Sequence, residues 1–440
     1  MSVTLEKIVN LCKRRGIIFP GSEIYGGLAN TWDYGPLGAE LLNNLKALWW
    51  KKFVTEREDV VGLSSGVLMN SKVWEASGHL KSFTDPLVEC KVCHLRFRAD
   101  QEEFKKHEHR DFTKPQDFNL MFKTFVGAVE DKAHATYLRP ETAQGMFVNF
   151  PQIVDTSRVK VPFGIAQIGK SFRNEITAGN FIFRTIEFEI AEIEYFVKPG
   201  NDEEAFEQWL SFMQKFLTLE LGLKKEHLRL YEHPKKSLAH YSKRTVDIQY
   251  QFPWGWDELW GLANRTDFDL GQHEKLSGKS MKYRDPDSNE EYIPYVIEPT
   301  GGIERTLLAV LLDSYTEVKG GRTTTTEATK EIEVVLKLSK VLAPVKVAVL
   351  PLSKKPELIK VARGIFDELK MHWPCQYDEV ASIGRRYRRQ DEIGTPYCIT
   401  VDFESLEDKR VTVRDRDSMK QERIPIADLA RHLADKLGDS

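Results

Sequence analysis

The stretch SFRNEITAGNFIFRTIEFEIAEIEYF, residues 171–196, combines residues that rarely share one strand. Its Phe, Ile and Tyr residues suit a buried β-strand, yet Arg173 and Arg184 enter it and Glu187, Glu189, Glu192 and Glu194 lie inside it. A buried charge is costly unless it is paired or holds a ligand. Arg173 and Glu175 are two apart and share a face of an extended segment, so ion pairing within the strand is one reading; Arg184 and Glu187 do not share a face. The other reading is a ligand with an anionic and a cationic end. Arginine forks grip phosphates or carboxylates in bidentate geometry. Carboxylates hold an ammonium group or, through a metal, a polyphosphate. ATP beside an amino acid presents these groups, and the glycine of ITAGN marks a loop between the two arginines that could close over a nucleotide.

Two other stretches repeat the theme. LRPETAQG sets Arg139 and Glu141 around Pro140, which favours an extended backbone before it. EPTGGIERTLLAVL reads as Glu298 at a strand end, a turn at Gly301 and Gly302, and Glu304 with Arg305 in the first turn of a helix. An arginine there is poorly placed for the helix macrodipole. A ligand contact explains it better, because helix N-termini already favour anions.

The bulk numbers fit a soluble globular chain. It has 440 residues, 41% hydrophobic and 29% charged, with a net charge of −3. There is room for two or three domains, and nucleic-acid binding would need a local basic patch. Cys12, Cys90, Cys93, Cys375 and Cys398 do not form the framework of a secreted disulfide protein. The N-terminal residues do not read as a signal peptide, and no stretch reaches the roughly 18 apolar residues of a membrane span. A reduced cytoplasm is expected.

The chain begins with a helix ending at Gly16. WDYGPLGAELLNNLKALWWKKFVTERED reads as a long amphipathic helix with Leu41, Leu42, Leu45, Leu48 and Trp49 on one face, either core-facing or a dimer helix. Residues around 86–114 read as a charged insertion. Strand-like stretches follow, and 316–342 reads as a polar connector without periodicity. After Pro344, strands alternate with helices, which suggests a small α/β domain.

These motifs together resemble the class II aminoacyl-tRNA synthetases, and closely the dimeric glycyl-tRNA synthetase family. YGPLGAELLNNLKALWWKKFV resembles motif 1, FRNEITAGNFIFRTIEFEIAEIEYF motif 2 with its following strand, and EPTGGIERTL motif 3. WEASGH, FNLMFKT, LRPETAQG and LANRTDFDL add matches between them, and GRRYRRQDEIGTPYCITVDF resembles the family's anticodon-binding domain, so nearly the whole chain is covered. The resemblance implies an α+β catalytic domain over 1–342, an antiparallel sheet with flanking helices, and an α/β anticodon-binding domain over 343–440. It implies ATP-dependent activation of glycine, transfer to the 3′ end of tRNA(Gly), Mg2+ with the ATP, and a homodimer. Neither a membrane nor DNA is expected as a partner. The alternatives are a class II synthetase for another small amino acid and a synthetase-like, non-catalytic nucleic-acid-binding subunit.

The resemblance also assigns residues. Arg173, Glu175 and Arg305 would be catalytic, Arg173 on the α-phosphate and the amino-acid carboxylate, Arg305 on the γ-phosphate. ATP would be bound by Arg173, Asn174, Glu175, Phe183 (the ring stacked on adenine), Arg184, Thr185, Ile186, Glu187, Phe188, Glu258, Leu259, Gly302, Ile303, Glu304 and Arg305. Glu258 and Glu298 would hold magnesium or the ribose end. Glycine would be held by Arg98, Glu141, Phe188, Glu189, Ile190, Ala191, Glu192, Glu298, Pro299, Thr300, Gly301 and Gly302. Adenylate formation needs cationic clamps and positioning rather than a nucleophilic side chain, so His79 of WEASGH is expected to be structural. Every competitor of glycine is larger, so a tight pocket suffices and no editing domain is needed. Members of the family often carry serine where Thr300 stands.

Two further clusters remain. Arg385, Arg386, Arg388 and Arg389 surround Tyr387, and in a domain of this kind they are expected to contact tRNA. In the insertion, some relatives have two Cys-x-x-Cys pairs. Here Cys90 and Cys93 are followed by His107 and His109, whose single-residue gap is tighter than the three to five of common zinc sites. Zinc is therefore not expected, with a Cys2His2 set as the alternative.

Overall fold

The computed structural model describes residues 3–99, 105–131, 134–175, 179–239, 242–320, 322 and 332–438. Seven strands build its main sheet. In spatial order they are Leu228–Glu232, Arg244–Phe252, Gly255–Thr266, Tyr295–Gly302, Glu187–Val197, Phe163–Phe172 and Val60–Gly62. All neighbours are antiparallel except the last pair, which is parallel.

The central strand Glu187–Val197 shows how the sheet serves two masters. Side chains alternate across a strand. Ala191, Ile193, Tyr195 and Val197 pack into one apolar cluster with Leu41, Leu45 and Trp49 of helix Pro36–Trp50, Trp209 of helix Asp202–Lys215, and Leu307 and Leu311 of helix Ile303–Ser314. On the opposite face, Phe196 joins a second cluster with Phe147 and Phe150 of helix Ala143–Ser157 and with Leu270 of helix Phe268–Ser277. Between Phe188 and Glu192 that second face is open. The strand is thus apolar on one side from Ala191 onward and apolar on the other only at its far end.

The apolar stripe of helix Pro36–Trp50 is spent within this chain. Leu41, Leu42, Leu45, Leu48 and Trp49 are all buried, and Trp49 stacks on Phe53 with centroids 4.9 Å apart. The core-facing reading of the helix therefore holds.

Two expectations need correction. Gly301 and Gly302 do not form a turn; the strand runs through both, and Gly302 is the extended N-cap of the next helix. Gly301 is glycine because the Trp260 indole lies against it. The connector is not without structure either. Its ends form paired antiparallel strands, Tyr315–Lys319 and Ile332–Leu336, and Leu336, Leu338 and Leu342 are buried in the main core. Alternating hydrophobics in IEVVL carry that signal.

The C-terminal segment has a five-stranded sheet in the order Cys375–Tyr377, Val347–Pro351, Tyr397–Val401, Arg410–Asp415, Gln421–Pro425. The first three are parallel and the rest antiparallel, with its own apolar cluster. It is tied to the main sheet's side of the chain by polar contacts. Arg15 Nε donates to Glu392 at 2.6 Å, Arg14 pairs with the same carboxylate at 3.1 Å, and Arg416 donates to the Leu338 carbonyl at 2.8 Å.

A Cβ at Gly301 would stand 2.6 Å from Cε2 of Trp260. That indole is held by a 2.8 Å hydrogen bond to Thr306 Oγ1 and by the rings of Phe53 and Phe216. Gly301→Ala is expected to destabilise the fold by about 1–3 kcal/mol, as overpacking does. Urea denaturation measures it; an unchanged midpoint would mean that Trp260 yields freely.

Candidate active site

The open face of the central strands carries a cavity of about 360 Å³. Its foot is acidic. Glu192 projects from Glu187–Val197, and Glu298 and Thr300 project from Tyr295–Gly302, where Thr300 stands directly opposite Glu192 in register. Glu141 reaches in from the segment before helix Ala143–Ser157. Its rim is basic, with Arg173, Arg184 and Arg305 beside Phe183 and Phe188.

One buried guanidinium organises the foot. Arg265, 2% exposed, donates to Asp269 from Nε at 2.7 Å and from Nη2 at 2.9 Å, and its Nη1 reaches both Glu298 oxygens at 2.9 and 3.0 Å. Glu192 accepts from the backbone N–H of Thr142 at 2.7 Å and from the Thr142 hydroxyl, at the start of a helix where anions are favoured. Glu141 is approached by His79 Nε2 at 3.3 Å and accepts from Gln144 at 3.0 Å. His79 Nδ1 in turn meets Ser77 Oγ at 2.7 Å. His79 is thus a hydrogen-bonder, as expected, and its task is to hold a cavity carboxylate.

Negative charge exceeds positive charge at the foot, and the carboxyl groups respond. Burial, with the nearby Glu192 and Glu141, pushes Glu298 up to about 8 against the pull of Arg265. Burial and Glu141 raise Glu192 as well. Just beyond the cavity, Glu194 has both oxygens buried without a hydrogen-bond partner; burial and Glu298 keep it far above the carboxylate range. Glu141 goes the other way. Burial would raise it, but His79 and Arg265 hold it well below its ordinary value. Burial pushes Glu304 up to about 7, although it accepts from the Glu189 N–H at 2.9 Å.

The rim differs. Arg173 donates from Nε to the Pro140 carbonyl at 3.1 Å and lies over the rings of Phe83 and Phe188, at 5.4 and 5.3 Å. Among the described residues no carboxylate forms an ion pair with it, so its charge faces the cavity. Arg305 pairs with Glu258 at 3.1 Å and lies 4.4 Å above the Phe183 ring. Burial would raise Glu258, and Arg305 holds it low.

Strand alternation sorts the residues expected from sequence. Glu141, Arg173, Glu175, Phe183, Arg184, Thr185, Phe188, Ile190, Glu192, Glu258, Glu298, Thr300, Gly302, Glu304 and Arg305 line one cavity. Glu189 and Ala191 face the other side of their strand, where Glu189 pairs with Lys46 at 3.0 Å. Pro299 and Gly301 alternate out of the cavity in the same way. Leu259 and Ile303 are core residues, and Glu187 pairs with Lys170 at the surface. The side chains of Asn174 and Ile186 are not part of the lining, and Arg98 lies in the insertion, paired with Asp85 at 3.1 Å. Residues 176–178 of the ITAGN loop lie outside the described residues.

Sequence reasoning missed Arg265 and Asp269, and also His233 and Asp247, which line the same cavity 2.8 Å apart. No spacing rule picks out the first pair, because Arg265 ends a strand and Asp269 begins the helix that follows it.

The C-terminal arginines separate sharply. Arg386 is buried, and its guanidinium donates to the carbonyls of Pro351, Asp378 and Leu352 at 2.6, 2.9 and 3.3 Å. A guanidinium enclosed in this way cannot reach a phosphate, so its assignment to tRNA is corrected to a structural one. Arg389 is paired with Asp378 at 2.5 Å, and Arg388 sits 3.7 Å from Glu333. Arg385 is exposed.

Comparison with known proteins agrees with this geometry. The family described as tRNA synthetase class II core domain (G, H, P, S and T) matches residues 123–315, and the one described as Anticodon binding domain matches 346–436. A solved prolyl-tRNA synthetase from Cryptosporidium parvum, complexed with halofuginone and AMPPNP, has the same fold, with a TM-score of 0.66 at 14% identity over 98% of this chain and 77% of that one. Fold and site therefore define a class II synthetase. Glycine–tRNA ligases of Caldanaerobacter subterraneus subsp. tengcongensis and Geobacillus thermodenitrificans are 54% and 53% identical over 99% of this chain and 99% and 98% of theirs. One from Thermobifida fusca is 51% identical over 99% of this chain and 98% of its own. The chain belongs to the glycine–tRNA ligase family.

Carboxyls with raised values favour the folded state while neutral. Their contribution is complete below the ordinary glutamate value of about 4.3 and is lost as pH rises through about 7 at Glu304 and about 8 at Glu298. The melting temperature of the ligand-free protein is expected to fall between about pH 5 and about pH 8 and to level off above that, and to fall less in Glu298→Gln. A flat profile would mean that these groups are already ionised.

Proposed function

We propose that this cavity activates glycine with ATP and passes it to the 3′ end of tRNA(Gly), the reaction named for its relatives. The observation that carries the reading is the division of one cavity into a basic rim and an acidic foot. Glycine is the shortest amino acid: its ammonium meets the carboxylates of Glu141, Glu192 and Glu298, and its carboxylate points back toward Arg173. Attack of a carboxylate oxygen on the α-phosphorus forms the mixed anhydride and breaks the bond to pyrophosphate. The tRNA hydroxyl then attacks the carbonyl carbon and AMP leaves. Both first reactants are anions, so Arg173 between them and Arg305 and Arg184 on the outer phosphates offset the repulsion. No cysteine, serine or lysine lines the cavity among the described residues, in keeping with catalysis by positioning and charge.

The adenine stacks on Phe183, whose ring is fixed edge-on by Phe252 and Trp254 at 5.0 and 5.1 Å. The carboxylates of Glu258 and Glu304 lie on the nucleotide side and fit a hard cation with oxygen ligands; Mg2+ there would neutralise phosphate charge. Glu298, tied to Arg265, belongs to the amino-acid side. Asn174, Ile186 and Leu259 are left to backbone contacts with the nucleotide, as are Ala191 and Gly301 with glycine. Arg98 reaches the amino acid if its insertion strand closes over the cavity mouth.

Domains over 1–342 and 343–440 follow the two sheets, with Arg385 the exposed basic contact for tRNA. The homodimer reading rests on Ile24, Tyr25 and Leu28, large apolar side chains 87%, 87% and 62% exposed in one short segment. Among the described residues no helix is long and apolar enough to cross a membrane, which is compatible with work in the cytoplasm.

Glycine-dependent ATP–pyrophosphate exchange tests the reading directly, with an amino-acid panel that includes alanine, serine, threonine and proline. Arg173→Ala is expected to lower exchange by roughly 10²–10³, with the melting temperature unchanged. A rate within about threefold of the parent would remove Arg173 from the chemistry.

Thr300 narrows the foot opposite Glu192. Thr300→Gly is expected to raise the alanine-to-glycine ratio of kcat/KM, since about 1–3 kcal/mol separates a methyl that fits from one that does not. An unchanged ratio would place Thr300 away from the substrate.

A further inference from the structure

The insertion is a small three-stranded sheet of Thr84–Glu89, Arg96–Arg98 and Gln116–Asn119, and none of its described residues belongs to the apolar clusters of the rest of the chain. Its hairpin closes at CKVCHL. Cys90 N–H donates to the Leu95 carbonyl at 2.9 Å and the Cys90 carbonyl accepts from His94 N–H at 2.9 Å, with His94 in the left-handed region at φ +60°. The returning chain is pinned beside this turn: Lys91 N–H donates to the Asp111 carbonyl at 2.9 Å, and Cys90 bridges Phe112.

This arrangement gathers four donors. One ligand atom each from Cys90, Cys93, His107 and His109 lie within 4.8 Å of one another. Cys93 Sγ and His107 Nε2 are already 3.3 Å apart. Metal–ligand lengths of about 2.3 Å to sulfur and about 2.0 Å to nitrogen put tetrahedral edges near 3.3–3.8 Å, so the quartet closes on an ion with small shifts. Both cysteines are free thiols, and His109 Nδ1 is buried without a hydrogen-bond partner. Phe97 and Phe112 wall the His107 ring at centroid distances of 4.7 and 5.8 Å.

The one-residue gap between the histidines, which argued against zinc in the sequence, belongs to a different geometry. Gaps of three to five suit histidines on a helix. His107 and His109 lie outside any helix, on either side of a bend at Glu108 that brings their ring centroids to 5.2 Å. We propose that Cys90, Cys93, His107 and His109 form a closed, tetrahedral zinc site that holds the insertion together. Two thiolates and two imidazoles select zinc over magnesium or calcium. Four protein ligands leave no open position, so the ion is structural. Its binding energy adds to the few apolar contacts among the insertion's described residues.

The test uses the full-length protein, purified without chelator and without a metal-affinity step. Elemental analysis is expected to give about one zinc per chain, falling below about a tenth in Cys93→Ser. Metal-stripped parent protein titrated with Co2+ is expected to show a thiolate-to-cobalt charge-transfer band that saturates at about one equivalent and disappears on adding Zn2+. This second measurement does not depend on a variant folding. A chain without zinc that also gives no saturable cobalt band would overturn the proposal, and so would stoichiometric zinc that persists in Cys93→Ser.

Discussion

Five carboxyl groups converge near one buried guanidinium beneath the cavity. Glu141, Glu194, Glu298 and Asp269 all feel Arg265, and Glu192 feels Glu141. An arginine that shares itself between Asp269 and Glu298 cannot balance the rest, and a protein interior tolerates unbalanced charge poorly. The deficit is met in three ways. Some groups keep their protons, Glu192 is held by the start of a helix, and the remainder is left for a cationic ligand. The rest of the architecture follows from that arrangement. Adjacent strands aim Glu192, Glu298 and Thr300 from one face, and the opposite face is apolar enough to hold the sheet rigid behind them.

Much of this was legible in the sequence, because charge inside an apolar strand is a rare pattern. Arg173, Arg184 and Arg305 all line the cavity that the pattern implied, and so do Glu141, Glu192 and Glu298. What the pattern did not resolve was sidedness. Glu189 and Glu192 look alike in the string, but the period of two sends them to opposite faces, and only the register against Tyr295–Gly302 says which face is open. Burial was equally hidden at Arg386, where four arginines in five residues read as one basic surface. The helical turn instead directs Arg386 into the carbonyls at the end of a strand and leaves Arg385 outside. Arg265 went unnoticed because a lone arginine in a strand carries no periodic signal until its partners are known.

The insertion teaches a related point about spacing. A ligand gap has meaning only for the backbone on which it was learned. His-x-His fails the helical spacing, yet a bend at Glu108 brings both rings together, and nothing in the string announces that bend. Fold elements with strong periodicity, such as helices Leu5–Arg15 and Pro36–Trp50, were evident because their apolar residues recur on one face. The connector was not, because its described ends are placed by pairing with each other, a non-local contact that no local periodicity announces.

Arg305 resting on the Phe183 ring has a consequence for how tightly nucleotide can be held. The ring face that a base would use is covered by the protein's own cation, which also satisfies Glu258. That contact is worth about 0.5–2 kcal/mol, and any base that stacks on the covered face must first displace it. Observed affinity is the intrinsic affinity less that contribution. In the proposed binding mode the displaced guanidinium would stand beside the phosphates, so the same contact that weakens the capture of a bare base would favour a base that brings its own negative charge. Adenosine and ATP would then differ in affinity by more than the phosphate contacts alone provide, because only ATP gives the evicted cation a new partner.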